Sequence, residues 1–208
     1  MPFNFNRPQD KTQDNACFNR RRFLQLGIGA STALFLPNAF AGLSSPAVAQ
    51  STVAQSSIAQ AERKLSLLNL HTGEHLHATY WAEGQYQTSE LKAINHILRD
   101  HRTGDAYQMD NDLLDLLHTL HQKMDSKQEF QIISGYRSPK TNAALNKKSS
   151  GVAKKSLHMQ GKAIDIRLPG CQLADLQKAA INCQTGGVGY YPKSNFIHID
   201  TGRVRRWG

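Results

Sequence analysis

Ser156-Leu157-His158-Met159-Gln160-Gly161-Lys162-Ala163-Ile164-Asp165-Ile166-Arg167-Leu168 is the stretch around which the rest of the chain organises. His158 sits in a loop, and the apolar run Ala163–Leu168 that follows reads as a short strand. An ionised carboxylate flanked by Ile164 and Ile166 is costly unless a positive group meets it. Strand alternation turns Asp165 to the face opposite its two isoleucine neighbours. Phe196-Ile197-His198-Ile199-Asp200 reads the same way, with His198 and Asp200 on one face of a strand and the isoleucines on the other. Phe130-Gln131-Ile132-Ile133-Ser134-Gly135-Tyr136 is a further short strand ending in a glycine turn.

Working outward, Lys64–Tyr80 alternates in places around His71-Thr72-Gly73-Glu74, which predicts a hairpin with Gly73 in its turn. Leu91, Ile94, Ile97 and Leu98 predict a helix over Thr88–Arg102, capped by Thr88 or Ser89. Leu113, Leu114, Leu116, Leu117 and Leu120 predict a second over Asn111–Met124. Lys140–Lys148 forms a third helical patch, and Leu173, Leu176, Ala179 and Ala180 place a short fourth within Gln172–Asn182. Strands and helices intersperse without a βαβ rhythm, a GxGxxG loop or an internal repeat, so the expected fold is a single α+β domain.

The chain has 208 residues, 39% of them hydrophobic, with 25 Lys+Arg against 16 Asp+Glu, a net charge of +9 and a pI near 9.6. That length and apolar fraction support one or two domains with a real core. Three cysteines are too few for a disulfide scaffold or a zinc module built on two CxxC pairs. Such basicity invites a nucleic-acid reading, but part of it sits in an address. Asn19-Arg20-Arg21-Arg22-Phe23-Leu24 precedes a mildly apolar run to Leu36, the layout of a signal peptide of the twin-arginine type. The run is too short to span a bilayer permanently. Small-x-small triplets place the cut after Ala41 or Ala49, so residues 1–49 read as signal, 50–62 as linker and 63–208 as the mature domain. Cleavage after Ala49 removes five bases (Arg7, Lys11, Arg20, Arg21, Arg22) and two acids (Asp10, Asp14), leaving a net of +6. Cys17 leaves too. Cys171 and Cys183 then stand as a possible bridge or as two thiols, undecided by sequence.

Two histidines and a carboxylate form a usual ligand set for catalytic zinc, which keeps a fourth position for water and brings that water to a pKa of about 7. From spacing alone the alternatives stay open: a strand histidine also serves as a satisfied core residue, and Asp165 can pair with Lys162 or Arg167.

Ser156-x-His158-x-x-Gly161-x-Ala163-x-Asp165, preceded by Ser134-Gly135-Tyr136-Arg137-Ser138 and followed by a strand histidine, resembles the zinc D-alanyl-D-alanine carboxypeptidase/dipeptidase family. The likeness is closer to its murein endopeptidase branch. Gly151–Ser156, Gly186–Pro192, Phe196–Gly202 and Asn69–Glu74 carry it, and it runs from about Leu65 to Trp207. The resemblance implies a mainly antiparallel sheet flanked by helices, with a zinc cleft on the sheet as in the Hedgehog and D,D-peptidase folds. It implies one zinc held by His158, Asp165 and His198, with Arg137 binding the scissile carbonyl or its oxyanion, a role a fixed guanidinium suits.

Many members of that family carry a Glu or Asp as general base where this chain has Asn195, which takes no proton at neutral pH. Either another group does the proton work or water activation relies on zinc alone; Asp200, on the strand face of His198, is the candidate, as base or as a carboxylate orienting a ligand histidine. Asn195, Lys155 and Tyr191 are the expected substrate contacts. Lys147, Lys148, Lys154 and Lys155 surround the approach to His158 and suit an acidic polymer. The expected function is that of a periplasmic zinc peptidase cutting peptidoglycan cross-links during wall growth or remodelling, with the twin-arginine machinery as export partner. Nucleic acid is not expected, because no aromatic-interleaved basic motif appears. A D,D-carboxypeptidase or dipeptidase acting on stem peptides, and a non-catalytic peptidoglycan-binding protein, are the rival readings.

Overall fold

The computed structural model describes residues 61–149 and 151–208. The signal segment, its cleavage sites and most of the linker lie outside the described residues. No helix among the described residues is long and apolar enough to cross a membrane.

The chain opens with β1 (Arg63–Asn69) and β2 (His75–Ala82), the hairpin expected around Gly73, whose φ of +75° is the left-handed value that glycine takes without strain. After the two-residue β3 (Gln85–Tyr86) come α1 (Thr88–Ile97) and α2 (Asn111–Met124). Then follow β4 (Phe130–Ser134), α3 (Pro139–Lys148), a 3-10 turn at Leu157–Gln160, β5 (Ala163–Arg167) and α4 (Leu173–Cys183). The chain closes with β6 (Gly187–Tyr191), β7 (Phe196–Asp200) and β8 (Arg205–Trp207). All eight strands form one sheet in the order β3-β2-β1-β4-β5-β7-β6-β8. Pairing is antiparallel except at β1/β4 and β6/β8, so the architecture is the expected α+β domain with a mainly antiparallel sheet.

One sheet face is the core side. Leu65, Leu67, Tyr80, Phe130, Ile132, Ile164, Ile166, Ile197 and Ile199 join Ile94 of α1, the leucines of α2 and Leu176 of α4 in one cluster. Strand alternation turns Asp165 and His198, which are register partners, to the other face. The antiparallel β5/β7 ladder thus fixes two chemistry-bearing side chains next to each other.

α1 is preceded by Gln87 at its N-cap position, with no side-chain cap, rather than being capped by Thr88 or Ser89, and two elements end earlier than the sequence predicts. α1 ends at Ile97 rather than running to Arg102, because Asp100 accepts the Arg102 amide (3.0 Å) and, across the fold, the Ser138 amide (2.9 Å), which turns the chain out of the helix. β4 ends at Ser134, at an irregularity in its pairing with β5, so Gly135 and Tyr136 leave the strand and pack against the end of α1. α3 begins as its sequence suggests, with Pro139 in the first turn and the Ser138 hydroxyl accepting the Thr141 amide. Cys183 is a free thiol, its Sγ directed at the Ala179 carbonyl, so it is not bridged to Cys171.

Candidate metal centre

His158 comes from the 3-10 turn. Ser156 caps that turn through its hydroxyl, and Gly161 ends it at φ +67°. The loop is latched on both sides: Arg137 N–H donates to the His158 carbonyl (3.2 Å) and Asp110 N–H to the Gly161 carbonyl (2.9 Å). The ring is oriented by main chain, because Nδ1 lies 2.8 Å from the Gly135 carbonyl. A carbonyl only accepts, so Nδ1 carries the hydrogen and Nε2 offers a lone pair. That Nε2 lies 3.4 Å from Asp165 Oδ1 and 3.2 Å from His198 Nδ1.

His198 is oriented from the opposite side. Its Nε2 donates to Asp200 Oδ2 at 3.0 Å, which leaves Nδ1 facing Asp165 Oδ1 at 2.9 Å. One ligand atom from each of His158, Asp165 and His198 therefore lies within 4.8 Å of the others. With the neutral imidazoles in these tautomers, one electron pair from each residue faces the same point, and when a proton takes that place His198 Nδ1 donates it to Asp165 Oδ1 across 2.9 Å. Two nitrogens with one carboxylate oxygen are a usual donor set for a zinc-type ion, and these three residues could hold one. The electrostatics agree. Burial opposes charging His198, yet its hydrogen bonds to Asp165 and Asp200 prevail and raise its pKa. Burial alone would raise Asp165, but the adjoining histidines hold it well below the ordinary carboxylate range. Both shifts describe a pocket that attracts positive charge.

Arg137 stands beside this group, only 12% exposed, with Nη2 on Ser134 Oγ at 3.2 Å and 3.6 Å from Asp165 Oδ2. Its Nε is buried without a hydrogen-bond partner. Burial lowers its pKa against the opposing pull of Asp165, and a guanidinium remains protonated regardless. Arg137 also lines the cleft over these groups, which sets its guanidinium beside the three donors.

The cleft over these groups has a volume of about 490 Å³. Lys155 and the loop 151–157 line one part, and Tyr191, Phe196, Arg205 and Trp207 another. Lys155 and Tyr191, named from the sequence as substrate contacts, both line this cleft. Asn195 is not among the lining residues. It closes the turn before β7 in a left-handed conformation (φ +52°), its N–H on the Pro192 carbonyl and its side chain exposed. Asparagine tolerates that backbone state, which accounts for it locally.

Asp200 has 0% exposure and accepts from Gly187 N (3.0 Å), Gly202 N (2.9 Å), His198 Nε2 (3.0 Å) and Arg205 (3.0 and 2.6 Å). Burial would raise its pKa, but the hydrogen bonds from His198, Arg205 and the two main-chain amides hold it far below the ordinary range. Five donors leave its two oxygens without a free site for a substrate proton. Of the two roles the sequence left open for Asp200, this geometry favours orientation of His198.

Sequence reasoning missed Arg205 and the Gly135 carbonyl. The first is visible only as one arginine in a basic tail, and a main-chain acceptor has no sequence signature.

Residues 57–207 match the model of the Peptidase_M15_2 family, described as peptidoglycan L,D-endopeptidase MepK. This chain belongs to that peptidase family. A curated relative, the peptidoglycan L,D-endopeptidase MepK of Escherichia coli K12, is 43% identical over 190 residues, covering 91% of this chain and 97% of the relative. A probable peptidoglycan L,D-endopeptidase MepK of Haemophilus influenzae is 37% identical over 191 residues, covering 91% and 95%. No solved structure matches the chain. The family match extends over every element from β1 to β8, so the convergent donors, Arg137 and the aromatic wall all lie within it.

Proposed function

We propose that this chain is a zinc-dependent endopeptidase of the periplasm that cuts L,D-type peptide cross-links of peptidoglycan, in wall growth or remodelling. One observation carries the reading: His158, Asp165 and His198 bring three electron-pair donors together beside the Arg137 guanidinium, all four residues lining one accessible cleft. A zinc ion held by these three residues supplies Lewis acidity and makes water a nucleophile near neutral pH.

The chain's own groups do the rest. Arg137 binds the scissile carbonyl and holds the negative charge that develops on its oxygen, a charge-assisted contact that strengthens as the reaction proceeds. Asp200 and the Gly135 carbonyl fix the tautomers of His198 and His158, so that both lone pairs face inward. Lys155, exposed at the rim, meets the free carboxylates of the stem peptides, and Tyr191 lines the wall beside them. Among the described residues that line the cleft, Asp165 is the one carboxylate. The arginines at 20–22 support export of the precursor by the twin-arginine route, with residues 1–49 removed.

Digestion of purified cross-linked muropeptide dimers with zinc-loaded protein, products identified by mass, tests the reading. The expected result is monomers from 3-3 cross-linked dimers. Intact dimers from a preparation shown to hold zinc would overturn it. His158→Ala is expected to lose bound metal and at least about a thousand-fold in activity, and undiminished cleavage would break the ligand assignment.

A further inference from the structure

We propose that Arg205 is a positioning residue that ties His198, on the floor of the cleft, to Trp207 in its wall, so that one guanidinium sets both a metal ligand and a substrate-facing surface. The proposal rests on the zinc-peptidase reading above and goes beyond it.

β8 lies at the sheet edge, parallel to β6, with Arg205 opposite Gly187 and Trp207 opposite Gly189. Those two glycines make the arrangement possible. A Cβ at Gly187 would run into the Arg205 guanidinium and the Asp200 carboxylate, and one at Gly189 would run into the Trp207 indole. Alternate glycines on one strand face thus clear a trough in which the side chains from β8 lie flat.

In that trough Arg205 makes two kinds of contact at once. Its Nη1 and Nη2 donate to Asp200 Oδ1 at 3.0 Å and Oδ2 at 2.6 Å, a two-point fork that fixes the plane of the carboxylate. The same Oδ2 accepts from His198 Nε2, so the plane of the carboxylate sets the rotation of the imidazole. The Arg205 Cζ also sits 4.9 Å from the centroid of the Trp207 ring, a cation–π distance. The Trp207 ring lies 5.3 Å from that of His198, and its Nε1 donates to the Tyr191 hydroxyl at 2.9 Å. Tyr191 in turn stacks on Phe196 at 4.6 Å. Arg205, Asp200, His198 and Trp207 therefore close a ring of contacts, in which Arg205 alone touches both the carboxylate that orients His198 and the indole in the wall. A simple structural ion pair would require only the charge of Arg205. The ring requires its planar fork and its flat face, which lysine lacks.

The test uses the mature protein loaded with Co²⁺ in place of zinc, with Arg205→Lys, Trp207→Phe and the double variant Asp200→Asn/Arg205→Met, which avoids leaving an unpaired buried carboxylate. Thermal melts establish that each variant folds. Metal affinity is read by chelator competition, ligand geometry by the visible absorption of Co²⁺, and substrate binding by KM and kcat on cross-linked dimers. Arg205→Lys is expected to weaken metal affinity roughly 10–100-fold, alter the Co²⁺ spectrum and raise KM. Trp207→Phe is expected to raise KM with metal affinity unchanged. Folded Arg205→Lys and double variants with wild-type affinity and spectrum would overturn the proposal. A wild-type protein that takes up Co²⁺ but cuts no dimer would overturn the endopeptidase reading alone, since the metal readouts still decide the role of Arg205. A wild type that takes up no Co²⁺ would overturn both.

Discussion

The two imidazoles of the site are held by different physics. His158 is loop-borne and leans on a neutral main-chain carbonyl, that of Gly135. His198 is strand-borne and leans on a buried carboxylate, that of Asp200, which is held in turn by Arg205 and two amides. The first support is set by how closely backbones pack: a Cβ at Gly135 would meet Leu98, and one at Gly161 would meet the Gln108 carbonyl. The second is set by charge. The loop half should therefore fail when backbone space is lost, and the strand half when a charge is lost.

The largest effect is expected on the loop side. Gly161→Ala forces a left-handed alanine against the Gln108 carbonyl and should cost about 2–4 kcal/mol of stability, read by urea unfolding. A loss below about 0.5 kcal/mol would mean that the loop is not held by backbone packing. On the strand side, Asp200→Asn should leave a folded protein and lower metal affinity roughly 10–100-fold. Unchanged affinity would make the two histidines equivalent after all.

Asp100 sharpens the comparison, because it is a charge serving the loop half. It is 2% exposed and accepts the Ser138 amide one residue after Arg137. Burial would raise its pKa, but hydrogen bonds from Thr141, Ser138 and the Ser138 and Arg102 amides bring it down to about 2. A depressed carboxylate stabilises the fold above its unfolded pKa of about 3.9, and that contribution fades as pH falls through 2. Asp100→Asn should therefore cost about 2 kcal/mol at pH 7 and much less near pH 2. An equal cost at both pH values would assign the effect to packing.

The smallest effect concerns His101, stacked on His71 with ring centroids 3.7 Å apart. Burial, with His71 and Arg102 nearby, lowers its pKa to about 4. The unfolded chain takes up this proton near pH 6.5 and the folded chain does not, so stability falls as pH drops from 6.5 towards 4. The residue is partly exposed, and about 1 kcal/mol is expected. His101→Gln should flatten that part of the stability curve, and an unaltered slope would exclude His101 as its source.

How much of this was legible follows from where each residue's meaning lies. β4, β5 and β7 are apolar runs, and Asp165 and His198 stand out in theirs because a polar group between isoleucines demands a partner. β6 and β8 carry no such contrast: one is rich in glycine, the other is three residues long, and both exist through their pairing. Arg205 acquires its meaning only from the carboxylate five positions before it, folded back against it. Asn195 was conspicuous against the family pattern, yet its place in the fold is a turn.

The chain has two tryptophans, at positions 81 and 207. Trp81 lies on β2, near one end of the strand order, and Trp207 on β8 at the other, within 5.3 Å of the His198 ring. The molecule thus contains its own optical gauge. A quenching ion such as Cu²⁺ bound at the proposed centre is expected to dim Trp207 more than Trp81, so occupancy should be readable by fluorescence without label or substrate.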